Sequence, residues 1–197
     1  MKNPFYRVGG NQLLYDSDLN PEGIAANYTM DLNEDFAARV VGGGFWLDER
    51  SGDVDTSLWG VQGMVEGGLG GDQELLVGAS YYDYGNVEGQ SLPVVGLEGN
   101  TPTVPGGSVY AFDYNLVEGF AEYGFRAMEL PAAVYGNYVV NVASDVDEDT
   151  GWLVGAQLGK TKEPGSWALN YEYRDLEADA VFAGFTESDF ADKLTNS

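Results

Sequence analysis

The sequence of 197 residues contains no cysteine and no histidine. Without cysteine it has no disulfide framework and no thiolate metal site. Without histidine it lacks the usual general base, the Ser–His nucleophile systems and the commonest transition-metal ligand. An enzyme would have to work with carboxylate, tyrosine, lysine or arginine side chains alone. We therefore predict that the protein is not an enzyme, and the sequence indicates no cofactor.

Basic residues are scarce, with 9 Lys and Arg against 32 Asp and Glu and a formal net charge of −23. Binding to nucleic acid rests on cationic contacts to phosphate, so the charge excludes nucleic acid as a partner. It also argues against a basic anchor on a membrane surface. High acidity often accompanies disorder, but 44% hydrophobic and 13% aromatic residues indicate a packed fold.

Long apolar runs are also absent, because none approaches the roughly 20 residues that a transmembrane helix needs. The first 18 residues contain no apolar h-region, so they are not expected to be a signal peptide. Taken alone, these features predict a cytoplasmic protein. The alternative is that the sequence is a fragment of a longer chain.

The sequence does contain an alternation of apolar and polar residues with a period of two, which predicts β-strands. It is clearest in residues 151–174, a predicted hairpin with its turn at 161–165. In the second arm of this hairpin, Trp167 and Tyr173 share one face with Leu169 and Tyr171. The other strands are predicted at residues 24–32, 36–47 (with a bulge at 42–44), 58–67, 74–84, within 109–126, and 132–142.

The loops between these strands alternate in length. Residues 33–35, 68–72, 128–131 and 161–165 form short turns, whereas residues 48–57, 85–108 and 143–150 form longer loops. Outer-membrane barrels show this asymmetry, and strands of roughly 9–11 residues are long enough to cross a bilayer when tilted. We predict an all-β protein, an antiparallel up-and-down transmembrane β-barrel with about eight strands here, or an arc of a larger barrel. Residues 1–197 would form one domain, with a lead-in loop at 1–23, a long extracellular or constriction loop at 85–108 and an irregular tail at 175–197.

The two faces of the predicted strands differ in chemistry. Aromatic residues on the apolar face would form girdles at the two membrane interfaces: Trp46, Trp59, Tyr81, Trp152 and Tyr173 at the rim of the long loops, and Trp167 at the other rim. Residues of the opposite parity are predicted to line a pore: Arg39, Gln62, Glu66, Glu74, Glu118, Glu122, Arg126, Asn137, Asn141, Gln157, Asn170, Glu172 and Arg174. Acids outnumber arginines among them, which predicts a mild preference for cations.

The acidic residues 145–151 and the alternating faces each allow another interpretation. Residues 145–151 (DVDEDTG) resemble the start of a calcium loop, but the glycine comes one place late and no glutamate completes the loop. A solvated extracellular loop, loosely bridged by divalent cations, is therefore expected. The alternating faces also fit a soluble or secreted β-sandwich or small barrel that serves as a binding module, with its apolar faces packed inside.

Five sequence blocks resemble the bacterial "putative porin" family: LLYDSDLNPEG (13–23), GGFWLDERS (43–51), LLVGASYYDYGNVEG (75–89), YNLVEGFAEYGF (114–125) and NYEYRDLEADAVFAGFTESDF (170–190). The resemblance implies a β-barrel of the bacterial outer membrane that admits small hydrophilic solutes and ions by passive diffusion. Its partners would be the lipid bilayer and these solutes, with association between copies left open. The resemblance also implies an upstream signal peptide and further strands on both sides, so this chain is expected to be an internal fragment. It implies no catalytic motif, and the pore-lining set rests on strand parity alone.

Overall fold

The computed structural model describes residues 2–11, 13–16, 19–52, 54–92, 96–162 and 164–186. Its main elements are eight β-strands, and two 3₁₀ turns at Val8–Gly10 and Ala183–Phe185 accompany them. Within this described part of the chain, no helix has the length and apolarity needed to cross a membrane. The strands are β1 (Glu22–Asp31), β2 (Phe36–Asp48), β3 (Thr56–Gly70), β4 (Gln73–Gly85), β5 (Tyr114–Ala127), β6 (Leu130–Asn141), β7 (Thr150–Gly159) and β8 (Ala168–Leu176).

The strands form one sheet in which each strand pairs antiparallel with the next, from β1 to β8. This confirms the predicted all-β, up-and-down meander of eight strands. The sheet is not closed, because β1 and β8 are its two edges, so the fold is an arc or a partial barrel. Strand β5 begins at Tyr114, inside the predicted range 109–126, and the turn before β6 is shorter than predicted. That turn consists of Met128 and Glu129, both with positive φ, as a type I′ turn requires.

The predicted bulge at residues 42–44 is wrong. The pairing of β2 runs without a break through Gly42, Gly43 and Gly44 on both sides, and the shift of register lies between Trp46 and Asp48. The glycine at position 44 has a packing reason instead. A Cβ atom on Gly44 would lie 2.5 Å from the indole ring of Trp59, which covers it from the next strand.

Side chains divide between an outer and an inner face of the sheet. On the outer face, large apolar side chains remain exposed along the middle of the strands. The valines among them are 44–50% exposed: Val40, Val61, Val77, Val117, Val134 and Val154. On the inner face, residues such as Val41, Leu116 and Leu153 are almost completely buried. The alternation read from the sequence therefore corresponds to an exposed apolar face and a covered face of mixed polarity.

The hydrophobic core lies on the inner face, beneath parts of the chain outside the strands. Residues 3–11 and 13–15, called here the inner segment, contribute apolar side chains to this core: Phe5, Val8, Leu13, Leu14 and Tyr15. Residues 86–92, 96–113 and 177–186, called here the cap, add Val87, Leu92, Tyr110, Phe182 and Phe185. The ring of Phe182 stacks on those of Tyr84 and Tyr110, each with a centroid separation of 5.2 Å. The last predicted part of the tail, residues 187–197, lies outside the described residues.

Candidate pore-facing site

Polar side chains on the inner face line up in rows across neighbouring strands. Gln62 of β3 lies directly opposite Ser80 of β4, which in turn lies opposite Glu118 of β5. Directly opposed residues of an antiparallel pair point to the same face, so these three side chains meet. The amide of Gln62 donates to the Ser80 hydroxyl oxygen at 3.1 Å, and that hydroxyl donates to a Glu118 carboxylate oxygen at 2.6 Å.

Glu118 is the most deeply buried carboxylate among the predicted pore-lining residues, with 4% of its surface exposed. Besides the Ser80 hydroxyl, it accepts a hydrogen bond from the Asn137 amide at 2.7 Å and a longer one from the Tyr82 hydroxyl at 3.4 Å. Burial of a carboxylate is costly unless hydrogen bonds compensate it. These three neutral donors provide that compensation and fix the orientation of the carboxylate.

The inner segment is attached to this face at two points. At the first, the backbone N–H of Tyr6 donates to the side-chain oxygen of Gln62 at 2.7 Å, and the Gln62 amide donates back to the Tyr6 carbonyl at 3.0 Å. At the second, the carboxylate of Glu122 accepts from the backbone N–H of Gly9 at 2.8 Å and from the Tyr6 hydroxyl at 3.1 Å. Burial and, after it, the charge of Glu122 raise the pKa of the Tyr6 hydroxyl above its ordinary value, so this hydroxyl remains a donor.

Tyr135 continues this contact surface on β6. Its ring lies between the inner segment and β7, because a Cβ atom on either Gly9 or Gly155 would come within 2.3 Å of ring atoms. Its hydroxyl donates to the carboxylate of Glu172 at 3.2 Å. The two glycines are thus needed for the ring to reach Glu172 on β8.

An acidic cavity of ≈390 Å³ opens beside the inner segment, toward the short turns. Glu66, Glu74 and Glu122 line it together with Tyr6, and no basic residue is among its lining residues in the described chain. The side chains of Glu66 and Glu74 are exposed. Within the described residues, no three carboxylates converge as they would around a metal ion, and this includes the acidic residues 145–149.

The structure places the predicted pore-lining residues at very different depths. Gln62, Glu118, Asn137 and Asn141 are buried, whereas Arg39, Glu122, Gln157, Glu172 and Arg174 are partly exposed and Glu66, Glu74, Arg126 and Asn170 are exposed. Two of them lie apart from the rest. Asn141 bonds to the cap, since its amide donates to the carbonyls of Asp113 and Asp179. Arg126 lies at the β5–β6 turn, 3.7 Å from Asp72 and hydrogen-bonded to the Glu129 carbonyl.

The residues predicted as aromatic girdles are all exposed, by 37–60%. Five of them lie two to four residues from the strand ends that lead into the longer loops: Trp46, Trp59, Tyr81, Trp152 and Tyr173. The rings of Trp152 and Tyr173 are neighbours, with centroids 5.3 Å apart. Trp167 directly precedes β8, at the opposite rim of the sheet.

Sequence reasoning missed the contacts of the inner segment and the cap. Residues 1–23 are predicted to be a lead-in loop, although the apolar side chains of Phe5, Val8 and Leu13 are a signal of burial. In the cap, the Asn100 amide donates to the carbonyls of Ala178 and Val181. No sequence pattern predicts that contact, because it joins segments about 80 residues apart.

The exposed apolar outer face and the rows of polar side chains on the inner face of this antiparallel meander are typical of transmembrane β-barrels. The family described as "Putative porin" matches residues 1–103 and 109–197, nearly the whole chain. The chain belongs to this family, as its sequence blocks indicated. No curated protein and no solved structure matches it significantly.

Proposed function

We propose that the protein is a porin-like channel of the bacterial outer membrane that lets small hydrophilic solutes and ions diffuse passively, with a mild preference for cations. The observation that carries this proposal is the exposed apolar outer face of the strands. Six valines in the middle of the strands are 44–50% exposed, and aromatic side chains flank them toward the rims. Apolar side chains that contact lipid are removed from water, so a bilayer stabilises a sheet whose outer face is apolar.

The outer face also separates this function from the second candidate, a soluble or secreted binding module. That alternative requires the apolar parity of the strands to be packed inside a sandwich or small barrel. Val77 and Val117 instead remain exposed, and it is the inner face that carries the covered core. The observation therefore favours lipid as the partner of the outer face.

A lipid environment adds a requirement for the edges of the sheet. Unpaired backbone groups in the hydrocarbon region cost several kcal/mol each, so open edges do not persist there. Strands β1 and β8 would therefore be paired in the membrane, either by further strands of a larger barrel or by a second copy of this chain. An eight-stranded barrel has room only for side chains, whereas this inner face also holds the backbone of the inner segment. This favours a barrel with more than eight strands.

The proposed preference for cations rests on the charges that reach open space on the inner face. Glu66, Glu74 and Glu122 border the acidic cavity. Arginine is rarer on this face, and one of the predicted arginines, Arg126, lies at a turn beside Asp72. Rings of carboxylates raise the local concentration of cations and lower that of anions.

Planar-bilayer recording on the refolded chain tests the proposal. We expect stepwise conductance and, across a KCl gradient, a reversal potential of the sign that indicates cation preference. The variant E66Q should shift this potential toward zero, because it removes a carboxylate from the cavity, whereas E88Q, in an exposed loop, should not. A reversal potential that indicates anion preference would refute the selectivity. A folded, membrane-inserted chain without conductance would refute the channel.

A further inference from the structure

We propose that the inner segment, residues 3–11 and 13–15, is the constriction element of the channel and that Gln62 and Glu122 hold it in position. This inference rests on the proposed function and goes further, because it assigns the narrowing of the path to a particular part of the chain. The sequence predicts a long extracellular or constriction loop at 85–108. In the structure that loop is part of the cap and bonds to residues 177–186, whereas the inner segment lies beside the open acidic cavity.

The inner segment crosses the inner face from β3 to β6. The ring of Phe5 packs edge-on against Tyr82 of β4, with centroids 5.0 Å apart, and Tyr6 is bonded to Gln62 of β3. Farther along, Gly9 reaches Glu122 of β5 and the ring of Tyr135 on β6. The segment therefore spans four neighbouring strands, which is the geometry needed to reduce the width of the interior.

One side of the segment is anchored and the other is open. Val8 is completely buried toward the sheet, whereas Gly9 and Gly10 are exposed. Tyr6 belongs to both sides, since its backbone and hydroxyl are held by Gln62 and Glu122 while its side chain lines the acidic cavity. A solute that passes along the inner face would therefore meet the segment directly.

Most of the polar attachment depends on only two side chains. Gln62 is fully buried and makes a reciprocal pair of hydrogen bonds with the Tyr6 backbone. Glu122 accepts two hydrogen bonds, from Tyr6 and Gly9. Leucine at position 62 would keep the volume and lose both bonds. We expect this loss to lower the ratio of seated to unseated segment by about 30-fold, the equivalent of two hydrogen bonds of ordinary net strength.

Trypsin provides a readout that does not depend on conductance. Arg7 is the only basic residue between Lys2 and Arg39, and the bond after it leads into the buried Val8. Cleavage between Arg7 and Val8 therefore requires the segment to leave its position. When opening and closing are fast relative to cleavage, the cleavage rate follows the population of the open form.

The experiment compares the refolded wild type, Q62L and the matched control Q157L by limited trypsin digestion and by single-channel recording. Gln157 has the same strand parity on β7, and its substitution leaves the bonds of Gln62 to Tyr6 intact. We expect cleavage after Arg7 to accelerate about 30-fold in Q62L, as the loss of two hydrogen bonds implies, and to stay at the wild-type rate in Q157L. We also expect the single-channel conductance of Q62L to rise above that of the wild type.

A second pair of variants covers the case in which Q62L does not fold. E122A removes both bonds to the segment, whereas E74A removes an equal charge from the same cavity and leaves those bonds intact. We expect faster cleavage and higher conductance in E122A than in E74A. Equal cleavage rates within both pairs would overturn the inference, and so would faster cleavage with unchanged conductance in a conducting channel. If neither the wild type nor any variant conducts, the proposed function fails, and the proposed constriction fails with it. The cleavage rates still show whether Gln62 and Glu122 hold the segment in position.

Discussion

The contact between Tyr135 and two glycines shows how closely single residues fit on the inner face. The Tyr135 ring occupies the space that a Cβ atom would take at Gly9 or Gly155. It ends in a hydrogen bond to Glu172, so moving the ring also breaks a polar contact on β8. Gly155 has an ordinary strand conformation, and its requirement for glycine is purely one of space.

We therefore expect G155A to lower the free energy of unfolding by about 1–3 kcal/mol, the usual cost of overpacking a well-filled site. The control is G63A in β3, where a Cβ atom would have no neighbour within 4 Å. Urea titration of the refolded protein, followed by heat-modifiable mobility on a gel, measures both. Equal stability of the two variants would show that the Tyr135 ring has room to move.

Glu177 is a residue at which stability should depend on pH. It directly follows β8, and its carboxylate accepts from the backbone N–H of Thr150 at 2.8 Å and from the Thr150 hydroxyl at 2.7 Å. These hydrogen bonds lower the pKa of Glu177 below its ordinary value. Because the folded state binds the proton more weakly than the unfolded state, this contribution to stability is present above the ordinary carboxyl pKa and is lost as the pH falls through the lowered value.

The variant E177Q should accordingly be less stable than wild type at neutral pH, and the difference should shrink as the pH falls below the ordinary pKa of 4.5. Unfolding curves of both proteins from neutral to acidic pH measure it. E34Q, in the exposed β1–β2 turn, is the control, and the difference between its stability and that of the wild type should not shrink in this way. A stability gap that stays constant or widens on acidification would contradict this role of Glu177.

At the scale of the strand, the feature that matters most is the difference between the two faces. Val77 lies in the middle of β4 and is 49% exposed on the outer face, while its neighbours Leu76 and Gly78 face inward. In water, exchange of such an exposed valine for arginine would be nearly neutral. In a bilayer it would place a charge in the hydrocarbon region.

We expect V77R to destabilise the membrane-inserted protein by about 2–4 kcal/mol, the range for a basic residue near the bilayer midplane. V104R is the matched control, because Val104 is similarly exposed but lies outside the strands, in the cap. Folding into lipid vesicles across a urea series measures the difference. If V77R folds as well as V104R, the outer face does not contact the hydrocarbon region.

The same strands show which structural features a sequence pattern predicts. The alternation predicted all eight strands, their order and the parity of each residue, because a period of two follows directly from strand geometry. It did not predict how deeply each side chain is buried. Glu118 on β5 and Glu66 on β3 have the same parity, yet Glu118 is buried among hydrogen-bond donors and Glu66 is exposed. The difference arises because neighbouring side chains and the inner segment cover some rows of the inner face and leave others open, and a local period contains no information about such distant contacts.

At the scale of the whole molecule, the chain combines a sheet of neighbouring strands with an interior filled from distant parts of the sequence. Every strand pairs with the next one along the chain. The interior is different, since Asn100 of the cap binds residues 178, 181 and 183 and the inner segment reaches as far as β6. The fold is therefore an open arc of strands whose interior is already filled by other parts of the same chain.

The position of the inner segment has a consequence for the order of folding. Six of the seven connections between strands are shorter than ten residues, and closing such short loops costs little chain entropy. The hydrogen bond between Tyr6 and Glu122 joins residues 116 positions apart, and it forms only after β5 has joined the sheet. The inner segment is thus among the last parts of the chain to find its place, and until then its apolar side chains remain exposed.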